Sequence, residues 1–402
     1  MTDTEPTVKG SWPLVRLIDG VPHWHIEGTH PPQYARDEAL ERVWREKNVM
    51  QTQSTAIKLL HGDCRAILPT LAPRSVQTII TSPPYFGLRD YGITPTAWPE
   101  IEYTPMPGLP SVTVPAQTVC LGLESDPLAY TAHLVHVFRL ARPALADDGT
   151  AWLNLGDCYA SNWPAPSNRR NVVGQGSLEN GKREARPPRI GKGLKDKDLM
   201  LIPARVALAL QADGWYVRNQ AIWWKPNAMP ESVTDRLTND YEPLYLLAKS
   251  PRYYFDQAAI REPHKPESIK RAKYQLNIGQ GGDAAVTGKR SGTWKNEQIN
   301  HPDGRNRRAV WRISTEALRD EHYAPMPEAL VEPCILAGSK PGDTVLDMFF
   351  GSGTVGRVAL KYGRRCIGID LNQAYLGIQE RRTNGVQIHM EAYLSPNESE
   401  AA

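Results

Sequence analysis

Val345-Leu346-Asp347-Met348-Phe349-Phe350-Gly351-Ser352-Gly353-Thr354-Val355-Gly356 reads as a strand, a glycine turn and the start of a helix. Apolar residues run into a carboxylate, and three glycines follow where the chain leaves a sheet and enters a helix. The missing side chains let a ligand lie against the backbone, and a helix N-terminus offers unpaired N–H donors. Asp370, at the tip of the next apolar strand Cys366–Ile369, stands where a carboxylate accepts both hydroxyls of a ribose. Gly351, Gly353 and Gly356 also satisfy GxGxxG literally, so a nicotinamide enzyme competes with other nucleoside-binding readings.

Only one strand and one helix follow this block before the chain ends, too few to complete a dehydrogenase-type sheet, so the remaining strands must lie upstream. The pattern predicts strands at 56–61, 76–81, 150–155, 216–224 and 243–248. Helices are expected to begin at Pro127, with Asp126 as cap, and near Pro203, Pro327, Thr354 and Asn372. Several of these strands are continuously apolar, which indicates an α/β protein with a mainly parallel sheet buried on both faces. Residues 1–55 read as an irregular extension with one helix near 37–46, and residues 86–124 as a Gly/Pro-rich loop.

The strand at 76–81 runs into Ser82-Pro83-Pro84-Tyr85. Two prolines remove N–H donors and fix the backbone, leaving the Pro83 carbonyl and the Ser82 hydroxyl as acceptors for an exocyclic amine. Such bonds tighten as the nitrogen pyramidalises, which favours the transition state over the ground state. Tyr85 offers a flat face to a base taken out of its stack.

The 402 residues carry a net charge of +3 that is unevenly spread. Residues 161–198 hold nine Lys/Arg against four Asp/Glu, and residues 261–312 twelve against five, so the other 312 residues carry −9. Two basic, irregular segments on an acidic body suit loops that meet a polyanion. Eleven Trp and sixteen Tyr against five Phe favour rings with a polar handle, suited to wet stacked contacts. Five scattered cysteines support neither a disulfide framework nor a zinc knuckle. No metal site is expected. With no long apolar run and no signal-like N-terminus, a soluble cytoplasmic protein without membrane association is expected.

Thr81-Ser82-Pro83-Pro84-Tyr85 followed downstream by Phe350-Gly351-Ser352-Gly353 resembles the DNA amino-methyltransferases, in the β-class order where the catalytic motif precedes the cofactor motif. The resemblance spans residues 56–385 and takes in Gly62-Asp63, Trp152-Leu153-Asn154-Leu155-Gly156-Asp157 and Ile222-Trp223-Trp224-Lys225-Pro226-Asn227. It implies a Rossmann-like methyltransferase with a mainly parallel twisted sheet flanked by helices and a circularly permuted motif order. Residues 56–390 would form that domain, with a tail at 391–402 and the segments 161–198 and 261–312 as insertions that read double-stranded DNA. S-adenosyl-L-methionine is the implied cofactor, held by Asp347, Phe349, Phe350, Gly351, Ser352, Gly353 and Asp370, with Asp63 near its adenine. Ser82, Pro83, Pro84 and Tyr85 are the implied catalytic residues. Arg169, Arg170, Arg183, Arg186, Arg189, Trp224, Lys225, Arg305, Arg307 and Arg308 are candidate DNA contacts, Trp223 and Trp224 being strand neighbours of which one lines the pocket.

Two features depart from the family pattern. Asp347-Met348-Phe349 stands where members often read Asp-Pro-Phe, and His322-Tyr323-Ala324-Pro325-Met326-Pro327 lacks the lysine found there in many members, leaving the contact to the methionine carboxylate unassigned. In the resembling family a serine at the first motif position goes with cytosine N4 more often than with adenine N6, so the resemblance implies cytosine N4 as the methylated amine, with adenine N6 as the alternative. Cytosine C5 chemistry would need a cysteine beside the base, and Pro333-Cys334 falls instead in a helix ahead of the cofactor strand. A cognate restriction endonuclease is a further expected partner. The readings from other classes are a nicotinamide oxidoreductase and a non-catalytic DNA-binding protein.

Overall fold

The computed structural model describes residues 15–18, 21–24, 56–88, 90–160, 193–265, 267, 301, 303–316, 326–384 and 386. Two compact units divide at Thr55 and Ala56. In the first, strands β1 (Val15–Ile18) and β2 (Val21–Trp24) pair antiparallel, with Val15 opposite Trp24. The helix expected near 37–46 lies outside the described residues, as do the tail and most of both basic segments.

The second unit contains an eight-stranded sheet. In chain order its elements are β3 (Ile57–His61), α1 (Cys64–Ile67), β4 (Val76–Thr81), four short strands β5 (Thr96–Trp98), β6 (Ile101–Tyr103), β7 (Val112–Val114) and β8 (Gln117–Val119), then α2 (Pro127–Ala141) and β9 (Leu145–Asn154). There follow α3 (Ile202–Ala212), β10 (Tyr216–Trp224), β11 (Tyr241–Ala248), β12 (Val310–Arg312), α4 (Glu328–Gly338), β13 (Thr344–Asp347), α5 (Thr354–Lys361), β14 (Arg365–Asp370) and α6 (Leu376–Thr383). The strand order is β12-β10-β11-β9-β4-β13-β14-β3, and only β11 runs against its neighbours.

Alternation along the central strands divides the core into two layers. Ile79, Leu346, Ala151 and Leu153 pack on one face with α2 and α3, whereas Ile80, Val345 and Trp152 pack on the other with α4 and α5. Burial on both faces accounts for the absence of a polar stripe in these strands. Asp126 caps α2 by accepting from the Leu128 N–H at 2.8 Å, with Pro127 in the first turn. Cys334 is buried in α4, its thiol donating to the Leu330 carbonyl, well away from the catalytic strand.

Four expectations are corrected. Residues 1–55 are not simply an irregular extension, since β1 and β2 pair as an antiparallel hairpin of four-residue strands, too short to show a clear alternation in the sequence. Residues 86–124 are not simply a loop, because β5 pairs with β8 and β6 with β7 as two small antiparallel sheets. Strands of three residues between Pro95, Pro99, Pro110 and Pro115 are too short to show a period-2 pattern. The second basic segment does not stay irregular to 312, since Val310–Arg312 forms the sheet-edge strand β12, paired to β10. The strand expected to start at Thr150 starts at Leu145, with the polar pair Asp147-Asp148 obscuring its beginning.

Candidate active site

Strands β4 and β13 are neighbours, so the segments leaving their C-terminal ends face each other, as at ligand sites of open parallel sheets. A cavity of about 530 Å³ lies there. Ser82, Pro83, Pro84 and Tyr85, the expected catalytic residues, line one side, and Asp347, Phe349, Phe350, Gly351, Ser352 and Asp370, expected to hold the cofactor, line the other. Asp63 lines it as well. Two distant motifs therefore open into one space.

On the cofactor side, Gly351 has φ +50°, and a Cβ there would meet only the Phe349 oxygen at 3.9 Å, so this glycine faces open space. Its N–H donates to Asp370 Oδ2 at 2.6 Å, and the Asn372 N–H donates to Oδ1 at 2.8 Å. Burial raises the Asp370 carboxyl to about 6, partly offset by these two bonds. Each oxygen keeps a lone pair, which suits the adjacent hydroxyls of a ribose. Gly353, at φ +81°, caps α5. Gly356 serves packing, the role of the third glycine in GxGxxG. A Cβ on Gly356 or on Gly368 would come within 2.5 Å of the Phe350 ring, so these glycines make room for that ring, which is 3% exposed. Phe350 thus turns into the core. The Gln379 amide secures the loop by donating to the Gly351 carbonyl at 2.9 Å.

Asp63 caps α1, accepting from the Arg65 N–H at 2.9 Å and pairing with the Arg65 guanidinium. Burial pushes its carboxyl up, but the bonds and charge of Arg65 outweigh this and hold it below the ordinary range. Asp347 is 2% exposed, and burial raises it to about 7 against the opposing hydrogen bonds from Thr81 and the Phe349 N–H.

On the catalytic side, the Tyr130 hydroxyl donates to the Pro84 carbonyl at 2.8 Å, and the Gly87 N–H donates to the Gly122 carbonyl at 2.6 Å. Gly122 must lack a side chain, since a Cβ would lie 2.9 Å from the Tyr85 carbonyl oxygen. The Tyr85 hydroxyl lies 2.7 Å from Glu242 Oε2, 2.9 Å from Asn154 Oδ1 and 3.2 Å from the Ser82 hydroxyl. Lys225 forms an ion pair with Glu242, and its ammonium lies 4.4 Å from the Trp223 ring centroid. Gly156 sits beneath the Tyr85 ring, where a Cβ would reach within 2.5 Å. Burial, then the Glu242 carboxylate, push the Tyr85 phenol well above its ordinary range.

Sequence reasoning assigned no role to Glu242, Asn154 or Gly156. Register explains how they meet. Glu242 is paired with Trp223 and Leu244 with Asn154; residues two apart on a strand share a face, so Lys225, Trp223, Glu242 and Asn154 project together. Glu242 lies in no motif. Asn154 and Gly156 lie in Trp152–Asp157, where the glycine at a strand end was the available signal.

Of the candidate DNA contacts, Arg169, Arg170, Arg183, Arg186 and Arg189 lie outside the described residues. Trp223 lines the cavity while Trp224 points the other way, 38% exposed and donating to Asp240 Oδ2 at 2.9 Å. Lys225 faces the cavity. Arg305 pairs with Glu262 at 3.1 Å, Arg307 stacks over Trp311 at 4.7 Å, and Arg308 is exposed beside it. Among the described residues no helix is long and apolar enough to cross a membrane.

A family model described as DNA methylase matches residues 76–381, from β4 into α6. The Type II methyltransferase M.Cfr9I of Citrobacter freundii is 39% identical over 330 residues, covering 81% of this chain and 87% of that protein. The Type II methyltransferase M.SmaI of Serratia marcescens is 35% identical over 333 residues, covering 83% of this chain and 92% of that protein. Among solved structures, the PvuII DNA methyltransferase (cytosine-N4-specific) is similar with a TM-score of 0.49 and 15% identity, covering 84% of this chain and 89% of that one. The family match takes in Ser82-Pro83-Pro84-Tyr85, the Gly351 loop and Asp370, and on that match and the similarity to M.Cfr9I and M.SmaI the chain belongs to the DNA methylase family of N6/N4 amino-methyltransferases.

Proposed function

We propose that this DNA methyltransferase uses S-adenosyl-L-methionine to methylate the exocyclic N4 amine of a cytosine flipped out of double-stranded DNA. When bound, the donor supplies an electrophilic methyl group on a sulfonium. Asp370 would accept its ribose hydroxyls, Gly351 would let it approach the backbone, and Asp63 would stand towards its base. The Ser82 hydroxyl and Pro83 carbonyl accept the amine hydrogens and localise the nitrogen lone pair, while Tyr85 stacks on the extruded ring at a site held by Gly122, Gly156 and Tyr130. Transfer would be direct: the nitrogen–methyl bond forms as the sulfonium–methyl bond breaks to leave a neutral thioether, the amine gives up one of its hydrogens to solvent as a proton, and no covalent link forms between enzyme and base.

The observation that carries this reading is that the amine acceptors and the ribose-binding carboxylate open into one cavity. Ser82 at the head of the catalytic motif supports cytosine N4. Adenine N6 is the second reading, because the same two acceptors serve either amine. The basic segments 161–198 and 261–312 are proposed to contact DNA, with Arg169, Arg170, Arg183, Arg186, Arg189, Arg305, Arg307 and Arg308 meeting phosphates or guanines. The names of the similar Type II enzymes support a restriction endonuclease as a cellular counterpart.

Incubating the protein with tritiated S-adenosyl-L-methionine and duplex DNA, followed by digestion to nucleosides, tests the reading. Label in N4-methylcytosine is expected. Label in N6-methyladenine would replace it with the second reading, and no label in DNA would overturn both.

A further inference from the structure

The two groups that meet the amine differ in one respect. The Pro83 carbonyl can only accept, whereas a serine hydroxyl both donates and accepts and would bond equally well to an amine or to a ring carbonyl. What selects an amine at Ser82 must therefore be whatever fixes its proton.

The surroundings of Tyr85 do so. Its phenol carries one proton and lies 2.7 Å from the Glu242 carboxylate, which has no proton to offer when paired with the Lys225 ammonium. Asn154 Oδ1, 2.9 Å away, is a second acceptor for the same proton, and the nearer, charged Glu242 is the stronger of the two. With either one accepting, the phenol has no proton left for Ser82, and its oxygen presents lone pairs in the remaining directions. Ser82 Oγ, 3.2 Å away, is then the donor to the Tyr85 oxygen. The Ser82 proton is turned away from the base, and both Ser82 lone pairs remain for the cavity that Ser82, Tyr85, Glu242 and Lys225 line together.

We infer that Glu242, with Lys225 as its counter-charge, is a positioning residue that works through the Tyr85 hydroxyl to hold Ser82 as an acceptor, so that the pocket takes bases bearing an exocyclic amine and rejects those bearing a carbonyl. This rests on the base-binding reading of Ser82 and Pro83. It gives the Tyr85 hydroxyl a task separate from stacking, which the ring performs without it. It also accounts for an ion pair at a cavity wall, where two charges without a task would carry a desolvation penalty.

The test is a binding measurement without the methyl donor. Duplexes carrying the enzyme's recognition sequence are made with cytosine or with uracil at the target position, each opposite an abasic site so that neither base is paired. Uracil places a carbonyl where cytosine has its amine. If labelling identifies adenine as the target, hypoxanthine takes the place of uracil. The wild type is expected to bind the amine duplex at least about tenfold more tightly.

In Tyr85→Phe and in Glu242→Gln the Ser82 hydroxyl regains its freedom to donate, and the amine-to-carbonyl ratio is expected to fall about tenfold, with a residue kept by Pro83. In a Ser82→Ala background, Glu242→Gln is expected to leave the ratio unchanged, because its effect passes through that hydroxyl. Thermal melting of each variant shows that it is folded, and Tyr85→Phe keeps the ring should Glu242→Gln not fold. A ratio that stays at the wild-type value in Tyr85→Phe would overturn the inference while leaving the base-binding reading intact, as would a further drop on adding Glu242→Gln to Ser82→Ala. A wild type with no preference for the amine would overturn the base-binding reading itself.

Discussion

Thr81 donates its hydroxyl to the Asp347 carboxylate at 2.7 Å, joining the last residues of β4 and β13 across 266 positions of sequence. The proposed catalytic segment begins one residue after Thr81 and the proposed cofactor loop one residue after Asp347, so this bond ties together the strand ends from which both leave. Both residues are buried.

Replacing Thr81 with Val keeps the shape and removes the donor. Asp347 then loses its side-chain partner in the interior, a loss of about 1–3 kcal/mol. Denaturant titration should show that decrease without a change in slope, and turnover should fall beyond what the loss of folded protein explains, since the two loops are no longer tied.

The same carboxylate makes stability depend on pH. Burial holds Asp347 at about 7 and Asp370 at about 6 in the folded protein, against about 3.9 for an exposed aspartate. Between those values the folded state keeps protons that the unfolded chain releases, so the contribution of both groups is fully present below about pH 4 and is lost as the pH rises to about 7. Asp347→Asn retains an acceptor for Thr81 and cannot ionise. Its melting temperature relative to wild type is expected to increase from pH 5 to pH 8; an unchanged difference would mean that Asp347 ionises normally.

Phe350 and Gly368 form a packed pair. A Cβ at Gly368 would meet the ring at 2.5–2.7 Å, so Gly368→Ala should destabilise by about 1–3 kcal/mol through overpacking. Adding Phe350→Leu should recover part of that loss. Equal and additive losses in the double variant would show that the two do not share the space.

Variants at Asp370 and Tyr85 test the proposed division of the cavity into a cofactor half and a base half. Asp370→Ala is expected to weaken binding of S-adenosyl-L-methionine about 10- to 100-fold by calorimetry, the value of a charge-assisted hydrogen bond. Tyr85→Ala should leave that affinity nearly unchanged while removing most turnover. Loss of both properties in Tyr85→Ala would make Tyr85 a structural residue.

Much of this architecture was legible because it is local. The glycine turn after Leu346-Asp347, the proline pair after Thr81, and Asp126-Pro127 at the head of α2 each act within a few residues, and composition is enough to read them. Continuous apolar runs at 243–248 and 366–369 indicated strands covered on both faces. The short strands between 96 and 119 were illegible because three residues carry no period. That Phe350 is the ring packed against Gly356 was illegible because the sequence does not show which side chain lies there.

By itself, then, the sequence determined the α/β class, the two motifs, their order and the chemistry of their donors and acceptors, since strand, turn and helix propensities act over short spans. Only the tertiary structure decided that Glu242, Lys225 and Asn154 converge on Tyr85, that Thr81 binds Asp347, and that Phe350 rather than a ligand fills the space at Gly356 and Gly368. These relations depend on which strands are neighbours and in what register. Alternation assigns a residue to a face of the sheet, but the residue opposite is set by hydrogen bonds between segments far apart in the chain.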